Sequence, residues 1–458
     1  MTNKETKHHD KKLTLISLTW PIFIELSLHM LMGNVDTFML SQYDDKAVAA
    51  VGVSNQISVM FNLIFSIVAT GTTILVSRYL GAKQIQDARH VATTSLTMNF
   101  IFGVLMSIVL VTLCGSFLKL LGLENELLAY GKSYLTITGS FLFLQALILT
   151  ASATIKSYGF TRNVMMITVS MNIINIFGNA IFIYGWFGIP VLGVTGVAIA
   201  TVITRTIGLS AMLYLLVKVI GQLPVAELLR PKKRHIAGLL RIGIPSAGEN
   251  LSYNISQLVI TSFIAMIGVT AMVTRVYTFN ILFLITIFSL AISQSTQILV
   301  ARMIGAGEIA QAYKRGLRSL ALGVGVTILS AAIYNLLGGY ILDLFTDDPE
   351  VIRLGRTLLL LAFVLEPGRA FNIILIGALR ASGDVNFPVI ISAIFVWGLA
   401  VPNAYLFGIH LEFGLLGIFI AFVIDEWVRG LIMLFRWRRR KWQERYLRTQ
   451  KEDSIEIA

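Results

Sequence analysis

In the stretch HMLMGNVDTFMLS, residues 29–41, an aspartate stands inside one of the most apolar parts of the chain. Asp36 follows His29 by seven residues, and His29 follows Glu25 by four. At about 100° per residue the three side chains fall within a helical stripe roughly 40° wide. An aspartate at the centre of a bilayer helix costs about 3 kcal/mol on insertion scales, so its presence needs a reason. The chemistry that suits it is proton binding. A low-dielectric setting favours the neutral acid, and gain of a proton removes a charge so that neighbouring helices can repack. Glu25 and His29, one turn apart, could simply satisfy each other.

Other polar groups recur in apolar segments. Asn172, Asn175 and Asn179 share one segment. Asn175 and Asn179 are one turn apart and could hydrogen-bond across helices to Asp36. In IGIPSAGENLSYNIS, Glu249, Ser252, Tyr253 and Ser256 occupy one helical face. A carboxylate among hydroxyls could hold Na⁺ or H⁺, or belong to a satisfied polar network between lobes; both readings stay open. In LEPGRAF, Glu366 and Arg369 flank Pro367 and Gly368 at the spacing of a neutralising pair. Asp425, Glu426 and Arg429 read the same way. Arg205 and Arg275 are expected near enough to span ends to reach the headgroups. Met30, Met32 and Met39 beside Asp36 suit packing or an adaptable cavity.

The elements that must carry these residues are membrane helices. Of 458 residues, 56% are hydrophobic and 14% charged, and the mean hydropathy is +0.77. A soluble chain of this length could not cover so much apolar surface. Twelve spans are expected, at roughly 13–40, 47–78, 91–117, 126–155, 164–184, 192–220, 238–267, 271–300, 317–343, 351–379, 387–408 and 412–436. The connectors alternate in charge. Lys4, Lys7, Lys11 and Lys12, then Arg78, Lys83 and Arg89, Lys156 and Arg162, RPKKRH at 230–235, Arg302 to Arg318, Arg380, and the RWRRRKW run lie on one side. Asp44, Glu124 and Asp347 mark the other. The positive-inside rule puts both termini in the cytoplasm of a multi-pass plasma-membrane protein. No cleavable leader is expected. The net charge of +12 is spread between spans, which excludes a nucleic-acid face. The single cysteine, Cys114, excludes an internal disulfide and argues against a thiolate metal site.

The chain also repeats itself. ILVSRYLGAKQIQDARHVATTSL at 74–96 matches ILVARMIGAGEIAQAYKRGLRSL at 298–320 in 10 of 23 positions, at an offset of 224. The same offset pairs Pro21 with Pro245, Glu25 with Glu249, Lys156 with Arg380, Gly159 with Gly383 and Asn179 with Asn403. The fold class is therefore all-α, two parallel six-helix lobes related by a pseudo-two-fold axis along the membrane normal. The expected division is an N-lobe over 1–220, a cytoplasmic linker over 221–236, a C-lobe over 237–437 and a basic tail over 438–458. Parallel repeats of this kind are a transporter architecture. Asp36 has no repeat counterpart, since position 260 is isoleucine, which favours a functional rather than a packing role. No nucleophile–base cluster, phosphate loop or ligand-spaced histidine set marks an enzyme, and energy must come from an ion gradient.

The NVDTFMLS stretch, NAIFIYG followed by GVTGVAIAT, the repeated ILVSRYLGA and ILVARMIGA, and GALRASGD at 377–384 resemble the multidrug and toxic compound extrusion (MATE) family, the DinF-type branch being one candidate within it. The resemblance covers nearly the whole chain. It implies two six-helix lobes in a V and cation-coupled export of lipophilic, often cationic compounds. By position, Asp36 corresponds to the first-span acid of cation coupling, and Asn175 and Asn179 to fifth-span cation-site positions. Several relatives carry aspartate where this chain has Asn179, which weakens Na⁺ in the N-lobe and favours H⁺. Glu249 corresponds to the seventh-span glutamate of members coupled through the C-lobe. Arg369 stands near an acidic position of such members, against a C-lobe Na⁺ site of their kind. Glu25, His29, Tyr253, Ser256, Glu366 and Arg369 are candidate supporting residues. No cofactor beyond the coupling H⁺ or Na⁺ is expected. The expected partners are amphipathic small molecules and membrane lipids, with no nucleic acid, and the expected state is a monomer. The alternatives are a flippase for lipid-linked precursors, against which the few in-span basic residues argue, or a channel or receptor.

Overall fold

A computed structural model describes residues 13–221 and 232–443. The lysines at 4–12, most of the 221–236 linker and the tail beyond 443 lie outside the described residues. The described residues, 13–221 and 232–443, form helices and no strand. The N-lobe comprises α1 Leu15–Ser41, α2 Asp45–Gly81, α3 Ile85–Leu120, α4 Asn125–Ser140, α5 Leu142–Ser157, α6 Thr161–Tyr184 and α7 Gly193–Ile220. The C-lobe comprises α8 Lys233–Ile267, α9 Val269–Gly305, α10 Ile309–Asp343, α11 Pro349–Ser382, α12 Asn386–His410 and α13 Gly414–Arg438.

Nine of these helices are long and apolar enough to cross a bilayer, and α4 with α5 makes a tenth span bent by 50°. The remaining two, α8 and α13, owe their lower apolarity to the polar and charged residues of the sequence analysis, Glu249 to Gln257 on one and Asp425, Glu426 and Arg429 on the other. All twelve expected spans are thus helical. The fourth departs from the expectation of one straight helix. Its break at Phe141 follows Gly139 and Ser140, a pair that weakens a helix locally. The C-lobe counterpart α11 carries Pro367 and still runs unbroken.

Each lobe has its own apolar core. One N-lobe core joins Leu40, Phe65, Leu118, Leu135 and Val197. A C-lobe core joins Ile260, Leu282, Leu358, Ala404 and Ile418. Cys114 is a free, buried thiol within the N-lobe. The lobes meet through α1 on α9 and through α2 on α8 and α9. The joint is centred on Leu18 and Ile22 against Ala291 and Ile298, with the Phe23 and Phe288 rings 4.9 Å apart.

Glycine permits the closest approach. A Cβ on Gly81 would strike the backbone carbonyl of Arg302, and one on Gly305 would strike that of Arg78. These two contacts are repeat mates of each other. Gly243 likewise admits the Ile67 carbonyl. Toward the opposite end α1 and α8 present Leu31, Phe38, Leu258 and Met266 as exposed side chains. The lobes are joined at the Arg78–Arg302 end. At 37 residues each, α2 and α9 run about 55 Å, longer than a hydrocarbon core of about 30 Å, so this joint reaches beyond the bilayer.

Candidate functional site

Asp36 lies five residues before the end of α1, roughly 8 Å along its axis, and so stands away from the joined end rather than at mid-helix. It is buried, at 7% exposure. The Nδ2 of Asn179 donates to Asp36 Oδ1 at 2.6 Å and to Asn175 Oδ1 at 3.2 Å. Asn175 and Asn179 are fully enclosed. They are brought to Asp36 because α6 packs along α1 and one helical turn separates the two amides. Tyr134 of α4 is buried nearby and donates to Asn55 Oδ1 of α2 at 3.3 Å. Among the described residues the Nδ2 atoms of Asn172 and Asn175 and the Oδ1 of Asn179 are buried without a partner.

Glu25 belongs to a different arrangement. Its carboxylate receives Lys156 at 3.2 Å and Ser152 at 3.2 Å. The expected exchange between Glu25 and His29 is absent; Lys156, delivered by the end of α5, takes the carboxylate, and His29 is left exposed on α1. The C-lobe repeats the pattern. Glu249 binds Arg380 at 2.6 Å and Ser392 at 3.1 Å. Both acids and both bases are 224-residue mates, so each lobe ties its first helix to its fourth span by the same ion pair. The face shared by Glu249, Ser252, Tyr253 and Ser256 serves separate ends: Ser252 accepts from Trp397 Nε1 at 3.0 Å, while Tyr253 and Ser256 line a C-lobe cavity with Gln257, Arg275 and Phe419.

At the rim of that cavity the two expected pairs fuse into one network. Arg369 binds Glu366 at 2.6 Å and faces Glu426 at 3.5 Å. Arg429 binds Asp425 at 2.5 Å and Glu426 at 3.3 Å. Asn372 adds a donor to Glu426 Oε2 at 2.6 Å, and Thr286 accepts from Arg369 at 3.2 Å. The sequence shows each pair through its (i, i+3) or (i, i+4) spacing. It does not show that α11 and α13 lie side by side.

Two arginines correct the expectation that they reach for the headgroups. Arg205 sits near the middle of α7 and is half-buried. Arg275 turns inward, donating to Thr261 Oγ1 at 2.5 Å and to Gln257 Oε1 at 3.4 Å. Neutral acceptors one turn apart on α8 satisfy it inside the lobe, which removes the need to reach water. Among the described residues no cluster of histidine, cysteine and carboxylate side chains suits a metal ion.

Two pseudo-symmetric six-helix lobes, joined at one end and each holding buried ionisable groups, define a polytopic membrane transporter. The MatE family model matches residues 21–181 and again residues 245–406, the second match beginning one repeat length after the first. The chain belongs to the multidrug and toxic compound extrusion family. An uncharacterized transporter of Bacillus subtilis, YisQ, is 48% identical over 437 residues, 95% of this chain and 96% of that protein. The probable multidrug resistance protein NorM of Thermotoga maritima is 28% identical over 443 residues, 95% and 94% of the two chains. Among solved structures, that of MATE in the bent conformation superposes with a TM-score of 0.88 at 21% identity, over 98% of this chain and all of the other. An outward-facing multidrug resistance MATE transporter gives 0.86 at 21% identity, over 96% and 98%.

Proposed function

We propose that the protein is a proton-coupled antiporter that exports lipophilic and cationic compounds across the plasma membrane by alternating access. The observation that carries this reading is the buried carboxylate of Asp36, held in the N-lobe by the amide of Asn179 rather than by an ion pair. Its amide neighbours are neutral, so arrival or loss of one proton changes the local charge by a full unit. With one formal negative charge among neutral amides, the site suits H⁺ better than Na⁺, whose binding would gain from a second carboxylate where this chain has Asn179. The C-lobe acids already face guanidinium groups.

The positive-inside rule assigns the joined end, with Arg78, Lys83, Arg302 and Arg315, to the cytoplasm, and both termini with it. The lobes are then parted toward the outside. In that state Asp36, near the open end, takes a proton from the medium and gives up a bound cation. Neutral, it lets α1 and α6 repack, and the bundles rock to expose the site inward. There the proton is released and the next substrate enters. Named relatives described as probable multidrug resistance proteins support the substrate class.

The test is dye export from proteoliposomes with proton and sodium gradients imposed separately. A proton gradient alone should drive uphill export, and Asp36→Asn should abolish it while the protein stays folded and inserted. Export that is driven by sodium alone, or that is unchanged in Asp36→Asn, overturns the reading.

A further inference from the structure

At the joined end the last span runs into a turn that gathers cations, RWRRRKW at residues 436–442. Arg436 is engaged within the lobe: it binds Asp384 at 2.7 Å and lies 4.5 Å over the Phe387 ring. Arg438, Arg439, Arg440 and Lys441 are exposed. Among the described residues none of these four forms an ion pair. Trp437 and Trp442, which bracket them, are fully buried. The two indole rings stack 4.6 Å apart, and Trp437 donates to the Tyr313 carbonyl of α10 at 3.2 Å.

The stack fixes the course of the chain. Residues five apart stand about 140° from each other on a continuing helix, where their rings could not stack. The chain turns aside at Arg440, which is left-handed at φ 54°. Glycine fills such a position without strain, yet here it carries an arginine whose guanidinium lies 4.4 Å over the Tyr313 ring. Arg439 folds back 4.0 Å over Phe435, an exposed ring on the outside of the bundle. Phe435 lies about 6 Å back along α13, toward the apolar core. The turn therefore holds its cations beside the end of the bundle instead of carrying them away along the helix axis. The 25 residues of α13 run about 37 Å against a hydrocarbon core of about 30 Å, so its last turn stands at headgroup depth.

We propose that the turn Arg438–Lys441 is a docking site for the phosphate of an anionic phospholipid in the leaflet at the joined end. Like charges gathered in one turn repel each other, and a lipid phosphodiester brings the opposite charge at the depth where they stand. A guanidinium also matches phosphate oxygens with paired N–H donors. An acidic soluble partner would need the cations to project away from the bilayer, whereas Arg439 lies back along the bundle. The site holds whichever ion drives transport.

The experiment is native mass spectrometry of the purified full-length protein. It is titrated with phosphatidylglycerol and with phosphatidylcholine of the same acyl chains, and the affinity for the first bound lipid is read. Each basic residue engaged by an anionic headgroup is worth about fivefold in affinity, so the unaltered protein should prefer phosphatidylglycerol by at least about tenfold. Arg438→Gln with Arg439→Gln should bring that ratio below about threefold. Lys83→Gln with Arg162→Gln removes two exposed cations of N-lobe connectors and should keep it at about tenfold or more. All four substituted side chains are exposed, so neither double variant disturbs the packed core. Trp442→Ala keeps every charge but frees the turn, and should lower the ratio as well. Equal binding of the two lipids by the unaltered protein overturns the proposal. So does a ratio that the turn variant keeps, or one that both double variants lower alike. A Trp442→Ala protein with the full ratio overturns it too, since the charges would then act without the fold that holds them.

Discussion

Arg302 of the C-lobe donates through Nε and Nη2 to the backbone carbonyl of Ser157 in the N-lobe, at 3.1 and 2.5 Å. Its repeat mate Arg78 returns the contact, reaching the carbonyl of Ser382 at 3.4 Å. Each arginine meets the carboxyl end of a helix in the opposite lobe, where the helix dipole favours a cation. With the Gly81 and Gly305 contacts beneath them, the two form a reciprocal latch at the joined end.

Arg302→Ala should loosen that latch. Hydrogen bonds to a charged donor contribute about 1.5–3 kcal/mol, and about 1.4 kcal/mol is a tenfold change in an equilibrium. Spin-label distances between the lobes should show the joined end opening in a larger share of molecules. Gly81→Leu, which cannot seat against the Arg302 carbonyl, should do the same by a steric route. Distance distributions that stay as in the parent in both variants would rule the latch out.

Arg380→Ala should destabilise the protein strongly. It leaves the largely enclosed Glu249 without its cation, a change that costs up to about 3–5 kcal/mol. Removing both charges in Glu249→Gln with Arg380→Met should restore most of the loss, measured by thermal unfolding in detergent. Export retained by the double variant would place Glu249 in the scaffold; export lost at full stability would return it to the coupling machinery.

Arg429→Met and Arg205→Met should differ in stability although the two arginines lie on corresponding helices, the last of each lobe. The first strands Asp425 and Glu426 and should cost about 3–5 kcal/mol. The second strands no partner and should leave the unfolding temperature close to that of the parent. Equal losses in the two would mean that Arg205 has a neutralising contact after all.

Asn179→Ala removes the donor to Asp36 Oδ1. An ionised carboxylate left without that donor loses about 1–3 kcal/mol of support. Export should fall while Asn175→Ala, one bond further from the carboxylate, has the smaller effect. A ranking in the reverse order, read from initial rates of dye export, would move the functional amide to Asn175.

Much of the architecture was legible because it is periodic or repeated. Apolar runs of about 20 residues gave the spans, and the shared offset of Glu25 with Glu249 and Lys156 with Arg380 gave the two lobes. The Asp36–Asn179 contact was anticipated from the need to partner an acid inside a span. The Glu25–Lys156 pair was missed, although the repeat already offered its signal: an acid and a base each conserved in kind between the halves at one offset. His29, one turn away, was the nearer candidate by local spacing and lost to a partner from another helix.

The sequence alone determined the class of protein. Its composition leaves no fold but a membrane bundle, its repeat requires two alike lobes, and the charges of its connectors give the orientation proposed for them. Those are properties of spacing and composition, which survive without coordinates. The tertiary structure decided which acids form ion pairs and which does not. Whether Glu25, Asp36, Glu249 or Glu366 meets a cation depends on which helices lie side by side, and only packing brings Lys156, Arg380 and Arg369 onto three of them while leaving Asp36 to an amide.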